Sequence, residues 1–91
     1  MEPAEIIGLI AGSCLAISNV PQIIRIIKTK DTSSISLIMY LIYTIGISLW
    51  LTYGIILSSI SVIISNSVAL TTASLVLIFK FINIIVKKEK I

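Results

Sequence analysis

The chain has 91 residues, 57% of them hydrophobic and 12% charged, with a net charge of +3, and its mean hydropathy is +1.14. A soluble domain of this length has no use for so much apolar surface, so the composition points to one membrane domain covering residues 1–91. The basic residues flank apolar runs and form no soluble basic face, which sets nucleic acid aside as a partner. A lone cysteine, Cys14, excludes an intrachain disulfide, and the absence of histidine removes the commonest metal ligand and general base, so no metal, cofactor or catalytic residue is expected.

A spanning helix takes about 20 mostly apolar residues, and the chain holds three such runs, at about Ile6–Ile27, Ile35–Leu57 and Ile60–Val86. The first is too long for a signal-peptide core and follows Glu2 and Glu5 rather than a basic segment, so it is expected to be retained. On it Gly8, Gly12 and Ala16 recur every four residues, a face that lets another helix come close. Near its end stands Asn19-Val20-Pro21-Gln22. Proline donates no N–H and its ring crowds the carbonyl of Ile17, so the helix is expected to kink or unwind there. In lipid the freed carbonyl needs a partner, and the Asn19 and Gln22 amides are candidates. The stretch reads either as a hinge beside a cavity or as a packing kink. The polar loop from Lys28 to Ser34 follows, and Ser33 or Ser34 is expected to cap the next helix.

The second run carries Tyr40, Tyr43, Gly46, Trp50 and Tyr53. Tyrosines near both ends are the usual interfacial belt. Trp50 lies well inside, with Gly46 one turn before it on the same face, so the pair makes a shelf beside a recess. A lipid-facing tryptophan is the competing reading, and the indole N–H, which wants a partner, argues against it. The short turn Ser58-Ser59 predicts that spans two and three form an antiparallel hairpin. On the third run Ser61, Ser65, Ala69 and Ala73 repeat every four residues as a second close-packing face. Asn66, on an adjoining face, must meet another helix or a watery cavity, because an amide in hydrocarbon is costly without a hydrogen bond. Lys80 is expected to snorkel, and the tail Lys87-Lys88-Glu89-Lys90 to be solvated.

All seven Lys and Arg lie in or beside the first loop or toward the C-terminal end. The positive-inside rule therefore places that loop and the C-terminus in the cytoplasm and the N-terminus outside. Trp50 and Asn66 fall at similar depth. An aromatic face with amides beside it suits a neutral polyhydroxylated ligand: the sugar ring lies on the aromatic and its hydroxyls bond the amides.

Pro21-Gln22, the loop Lys28-Thr29-Lys30-Asp31-Thr32 with Ser36, Met39-Tyr40, Trp50 with Tyr53-Gly54, and Asn66 together resemble the bacterial SemiSWEET sugar transporters of the PQ-loop superfamily, over nearly the whole chain. The resemblance implies an all-α three-helix bundle working as a parallel homodimer of six helices in the bacterial inner membrane, with alternating access to a central sugar site. It implies sugar binding by Trp50 and Asn66, a pocket lined by Ile17 and Gly46, a hinge at Pro21 with Gln22, a cytoplasmic gate at Met39 and an outer gate at Tyr53. Two positions depart from the family pattern. Leu57 and Ser59 stand where an Arg and an Asp often close the outer gate, and Asn19 stands where the residue is often apolar or aromatic, which adds it to the expected sugar contacts. The physics agrees on the dimer, since three helices cannot both enclose a sugar path and shield its polar walls from lipid. No acidic residue lies inside an expected span, which points to a uniporter for a mono- or disaccharide. The competing readings are a small membrane interaction subunit and an exporter of lipophilic cations, a class that usually needs a buried carboxylate.

Overall fold

The computed structural model describes residues 2–91. Three helices follow one another: α1 (Pro3–Thr29), α2 (Leu37–Ile56) and α3 (Ile60–Lys87). Each is long and apolar enough to cross a membrane, and the bundle is 48 Å in its long dimension, against about 40–45 Å for a bilayer with its headgroups. The chain is a multi-pass membrane protein.

The helix ends differ from expectation for local reasons. α1 begins at Pro3, since a proline in the first turn lacks only an N–H that the helix would not have used. It stays helical through Pro21, so of the two outcomes open there unwinding does not occur. It stops where Lys30 turns left-handed (φ 58°) and donates its N–H to the Ile26 carbonyl at 2.8 Å. Neither Ser33 nor Ser34 caps α2. Asp31 Oδ1 accepts from the Ser33 N–H at 2.9 Å, and the Ile35 N–H closes a turn onto the Thr32 carbonyl. Ser33 and Ser34 are held in that turn, and the cap falls to Ser36, whose hydroxyl accepts from the Met39 N–H at 3.2 Å.

The reversal after α2 passes through Ser58, with φ 54°, and the Ser59 N–H bonds back to the Gly54 carbonyl. α2 and α3 pair as the expected hairpin, but α3 also packs on α1, and the backbones of α1 and α2 do not approach each other. α3 is thus the middle helix. The two small-residue faces meet: a β-carbon at Gly8 would sit 2.7 Å from Ser61 Oγ, and one at Gly12 would overlap the Ser65 side chain. Glu5 closes this seam at the turn end. Its carboxylate accepts from Ser59 Oγ at 2.7 Å and from the Ser61 N–H at 2.8 Å, so an anion from α1 caps the start of α3.

The tight core lies at the opposite, loop end. Ile26, Ile35 and Val76 are buried there, with Ile23, Tyr40 and Phe79 packed against them. Beyond them sits a polar layer that corrects two expectations. Lys80 does not snorkel; it is fully buried, as is Thr32. Nor is the tail all solvated. Lys88 turns left-handed, the Glu89 N–H bonds to the Asn83 carbonyl, and the Glu89 carboxylate reaches Lys80 and Thr32. A buried ammonium needs a counter-charge, and the tail returns to supply one.

Candidate functional site

Between the loop-end core and the Glu5 cap the helices diverge and leave a cleft of about 420 Å³. A volume of this order suits a small organic ligand. α1 contributes Gly12, Ala16 and Asn19; α2 contributes Tyr43, Gly46 and Trp50; α3 contributes Ser65, Asn66, Ala69 and Thr72. The four-residue register that brings Gly8 onto Ser61 and Gly12 onto Ser65 carries the same small faces into the cleft, where Ala16 and Ala69 form wall.

Four of the expected site residues come together here: Asn19, Gly46, Trp50 and Asn66. Around Gly46 nothing lies within 4 Å of where a β-carbon would be, so the recess beside Trp50 is open. Tyr53 meets Trp50 edge to face, with centroids 5.2 Å apart and planes at 88°, which fixes the indole from the turn side. Asn66 Nδ2 donates to the Val62 carbonyl at 2.9 Å, leaving Oδ1 as an acceptor. The Asn19 amide and the Ser65 hydroxyl have no protein hydrogen-bond partner among the described residues, and both are half-buried at the cleft.

Ile17 is not brought in. It lies about 200° round α1 from Asn19, and its side chain faces outward, 68% exposed. Pro21 and Met39 also lie outside the cleft, with Met39 exposed. Gln22 lines a small recess just toward the loop end, together with Asn19, Tyr40 and Tyr43. Ser65, Thr72 and Tyr43 line the cleft without having been singled out for it. The register of small residues on α3 was the available signal for Ser65, and it reads equally well as packing.

The arrangement offers an aromatic face, amides of both polarities and a free hydroxyl, with no carboxylate or cation on the cleft wall. It is equipped to hold a neutral polar solute within a membrane bundle. The comparisons with known proteins agree. Residues 3–63 match the PQ loop repeat family. The chain is 36% identical to the sugar transporter SemiSWEET of Leptospira biflexa over 76 residues, 84% of this chain and 89% of that protein. It is also 36% identical over 83 residues to the sugar transporter SemiSWEET of Escherichia coli, 91% of this chain and 93% of that one. A crystal structure of SemiSWEET in the inward-open conformation superposes with a TM-score of 0.89 at 35% identity, covering 97% of this chain and 95% of that one. A crystal structure of a bacterial homologue of SWEET transporters gives 0.80 at 35% identity, with 88% and 96% covered. The chain belongs to the PQ-loop family and, within it, to the SemiSWEET transporters.

Proposed function

We propose that two copies of this chain form a parallel homodimer that carries a neutral mono- or disaccharide down its gradient by alternating access. The observation that carries the reading is the cleft itself: the exposed Trp50 face beside the open recess at Gly46, with the Asn66 and Asn19 amides on facing helices. Its likeness to proteins named as sugar transporters supports the substrate class. Trp50 takes the apolar face of a sugar ring, while Asn66 Oδ1, the Asn19 amide and Ser65 Oγ take its hydroxyls. Ile17, turned outward in one chain, belongs to the pocket only if the partner copy covers that face.

Uniport is favoured by where the carboxylates go. Glu5 is engaged at the start of α3 and Glu89 at Lys80, so neither reaches the cleft to relay a proton or hold a cation. In the inner membrane the loop end, with Arg25, Lys28, Lys30 and the basic tail, faces the cytoplasm and the N-terminus faces outward. Pro21 and Gln22 then lie at the cytoplasmic hinge, Met39 at the inner gate and Tyr53 at the outer gate. The outer gate closes by tyrosine packing, because Leu57 and Ser59 carry no charge.

The test is uptake of a panel of labelled mono- and disaccharides into liposomes holding the purified protein, with and without a pH gradient. Uptake of at least one sugar, indifferent to the pH gradient, is the expected result. Uptake of none, or uptake driven by the gradient, overturns the reading.

A further inference from the structure

The loop end contains a buried charge for which neither the cleft nor the hinge has a use. Lys80 is fully buried on the middle helix, and its Nζ donates to the Thr32 carbonyl at 3.0 Å and to the Glu89 carboxylate. Thr32 Oγ1 donates to the same carboxylate oxygen at 2.6 Å and accepts from Asn83 Nδ2 at 2.8 Å. Asn83 Nδ2 also donates to the Lys30 carbonyl at 2.8 Å, and the Leu37 N–H donates to the Ile91 carbonyl at 3.0 Å. Every bond but the Lys80–Glu89 pair crosses from the α1–α2 loop, or the first residue of α2, to the end of α3 or the tail.

We infer that Lys80, Thr32 and Glu89 are a latch that joins the loop to the end of α3, so that the segment of α1 below Pro21 travels with α3 and never swings away from it alone. The reasoning is energetic. Residues Gln22–Thr29 lead into Lys30 and Thr32, whose carbonyls are held by Asn83 and Lys80. Separating α1 from α3 at this end would take the Thr32 carbonyl from a fully buried ammonium, the Thr32 hydroxyl from the carboxylate paired with it, and both side-chain partners from a fully buried threonine. Removing one partner from such a group is far more damaging than replacing the whole set with apolar residues. The rest of α1 has no buried charge tied to α3: Gly8 and Gly12 give only close packing, and Glu5 is a half-buried clasp of two hydrogen bonds at the far end. Hinge motion at Pro21 therefore moves a block made of lower α1, the loop and the end of α3. Lys80 acts as a positioning residue for that block and touches no substrate.

The consequence for transport rests on the alternating-access reading, but the structural measurement does not. Spin labels are placed at Ser34→Cys and Ile85→Cys in a Cys14→Ser background, and labelled chains are diluted into unlabelled ones so that one protomer per assembly reports. The expected result in lipid is one narrow distance, unchanged by saturating glucose or sucrose. Glu89→Gln, which leaves Lys80 without its counter-charge, should broaden that distance and slow uptake several-fold. Glu89→Gln combined with Lys80→Met should be closer to wild type than Glu89→Gln alone, a rescue that a merely destabilising tail change would not give. Glu89 lies beyond α3, and at position 80 within it methionine is as good a helix former as lysine, so the helices form in either variant. A wild-type distance that splits or shifts with either sugar, a Glu89→Gln distance as narrow as wild type, or a double variant broader than the single overturns the inference. Failure of every sugar in the uptake panel with the distances as expected would instead overturn the transport reading and leave the latch standing.

Discussion

At the scale of single residues, the cleft was legible where a side chain is chemically out of place. Asn19 and Asn66 are amides in hydrocarbon, and Trp50 stands beside a glycine. Each is costly or wasteful unless something polar or bulky arrives, and the structure lines the cleft with them. Ser65 and Thr72 were not legible, because a hydroxyl in a span usually bonds back to its own helix, as Thr44, Ser48 and Thr52 do. Only the folded bundle leaves the Ser65 hydroxyl over. Lys80 was misread for a related reason: a lysine near a helix end normally reaches water, and nothing local reveals that a tail residue will return to meet it. Trp50→Ala and Asn66→Ala should each lower sugar uptake at least tenfold, equivalent to about 1.4 kcal/mol of lost binding, with the dimer intact by size-exclusion chromatography. Near-normal uptake in both at equal protein level would remove them from the site. Glu89 provides a pH test. Its partial burial alone would raise its pKa, but hydrogen bonds from Lys80 and Thr32 and the Lys80 charge outweigh that and the repulsion of Asp31, and hold it below its ordinary 4.5. A carboxylate lowered by folding contributes stability that is fully present above 4.5 and is lost as the pH falls through the folded value. The Ser34–Ile85 label distance should therefore stay narrow at neutral pH and broaden only in acid below 4.5; broadening near neutrality would show that the carboxylate is not held as described.

At the scale of helices, the spans were readable from length and apolar content, the hairpin from its short turn, and the close-packing faces from the four-residue repeats of small residues, though not that the faces of α1 and α3 would meet. The ends were not, because they depend on contacts from outside the element: Glu5 of α1 caps α3, and the Thr32–Ile35 turn takes Ser33 and Ser34 away from α2. Gly12→Val should force α1 off Ser65 and destabilise the bundle by roughly 1–3 kcal/mol, the usual cost of overpacking, read as a lower melting temperature in detergent. Unchanged melting would mean that the seam yields easily. Pro21 is continuous with the helix around it, yet it lacks one backbone donor. Pro21→Ala restores that donor, a gain of about 1 kcal/mol, enough to shift a balanced two-state equilibrium several-fold. It should fold and dimerise normally, transport poorly, and show one distance between Lys28→Cys labels on the two copies. Wild-type transport with both distances sampled would make Pro21 a packing kink only.

At the scale of the whole molecule, one chain exposes most of its large apolar side chains, among them Leu15, Ile42, Leu49 and Ile56, each more than 60% accessible. Lipid is left to cover them, together with the second copy in the proposed dimer. In mild detergent the protein should run as a homodimer, and a monomer that still transports would exclude the two-fold pathway. The position of α3 has a consequence for how the chain is made. α1 and α2 have no close backbone approach to each other, and the backbone of each lies against α3. In a membrane, where packing rather than hydrophobicity joins helices, the first two spans leave the ribosome without the helix against which both backbones pack. Only their loop and a few side-chain contacts join them until the last third of the chain is inserted against both. Assembly therefore depends on α3: a ribosome stalled in the turn at Ser58 should release a product that quality-control proteases clear quickly, whereas supplying α3 as a separate peptide should protect it.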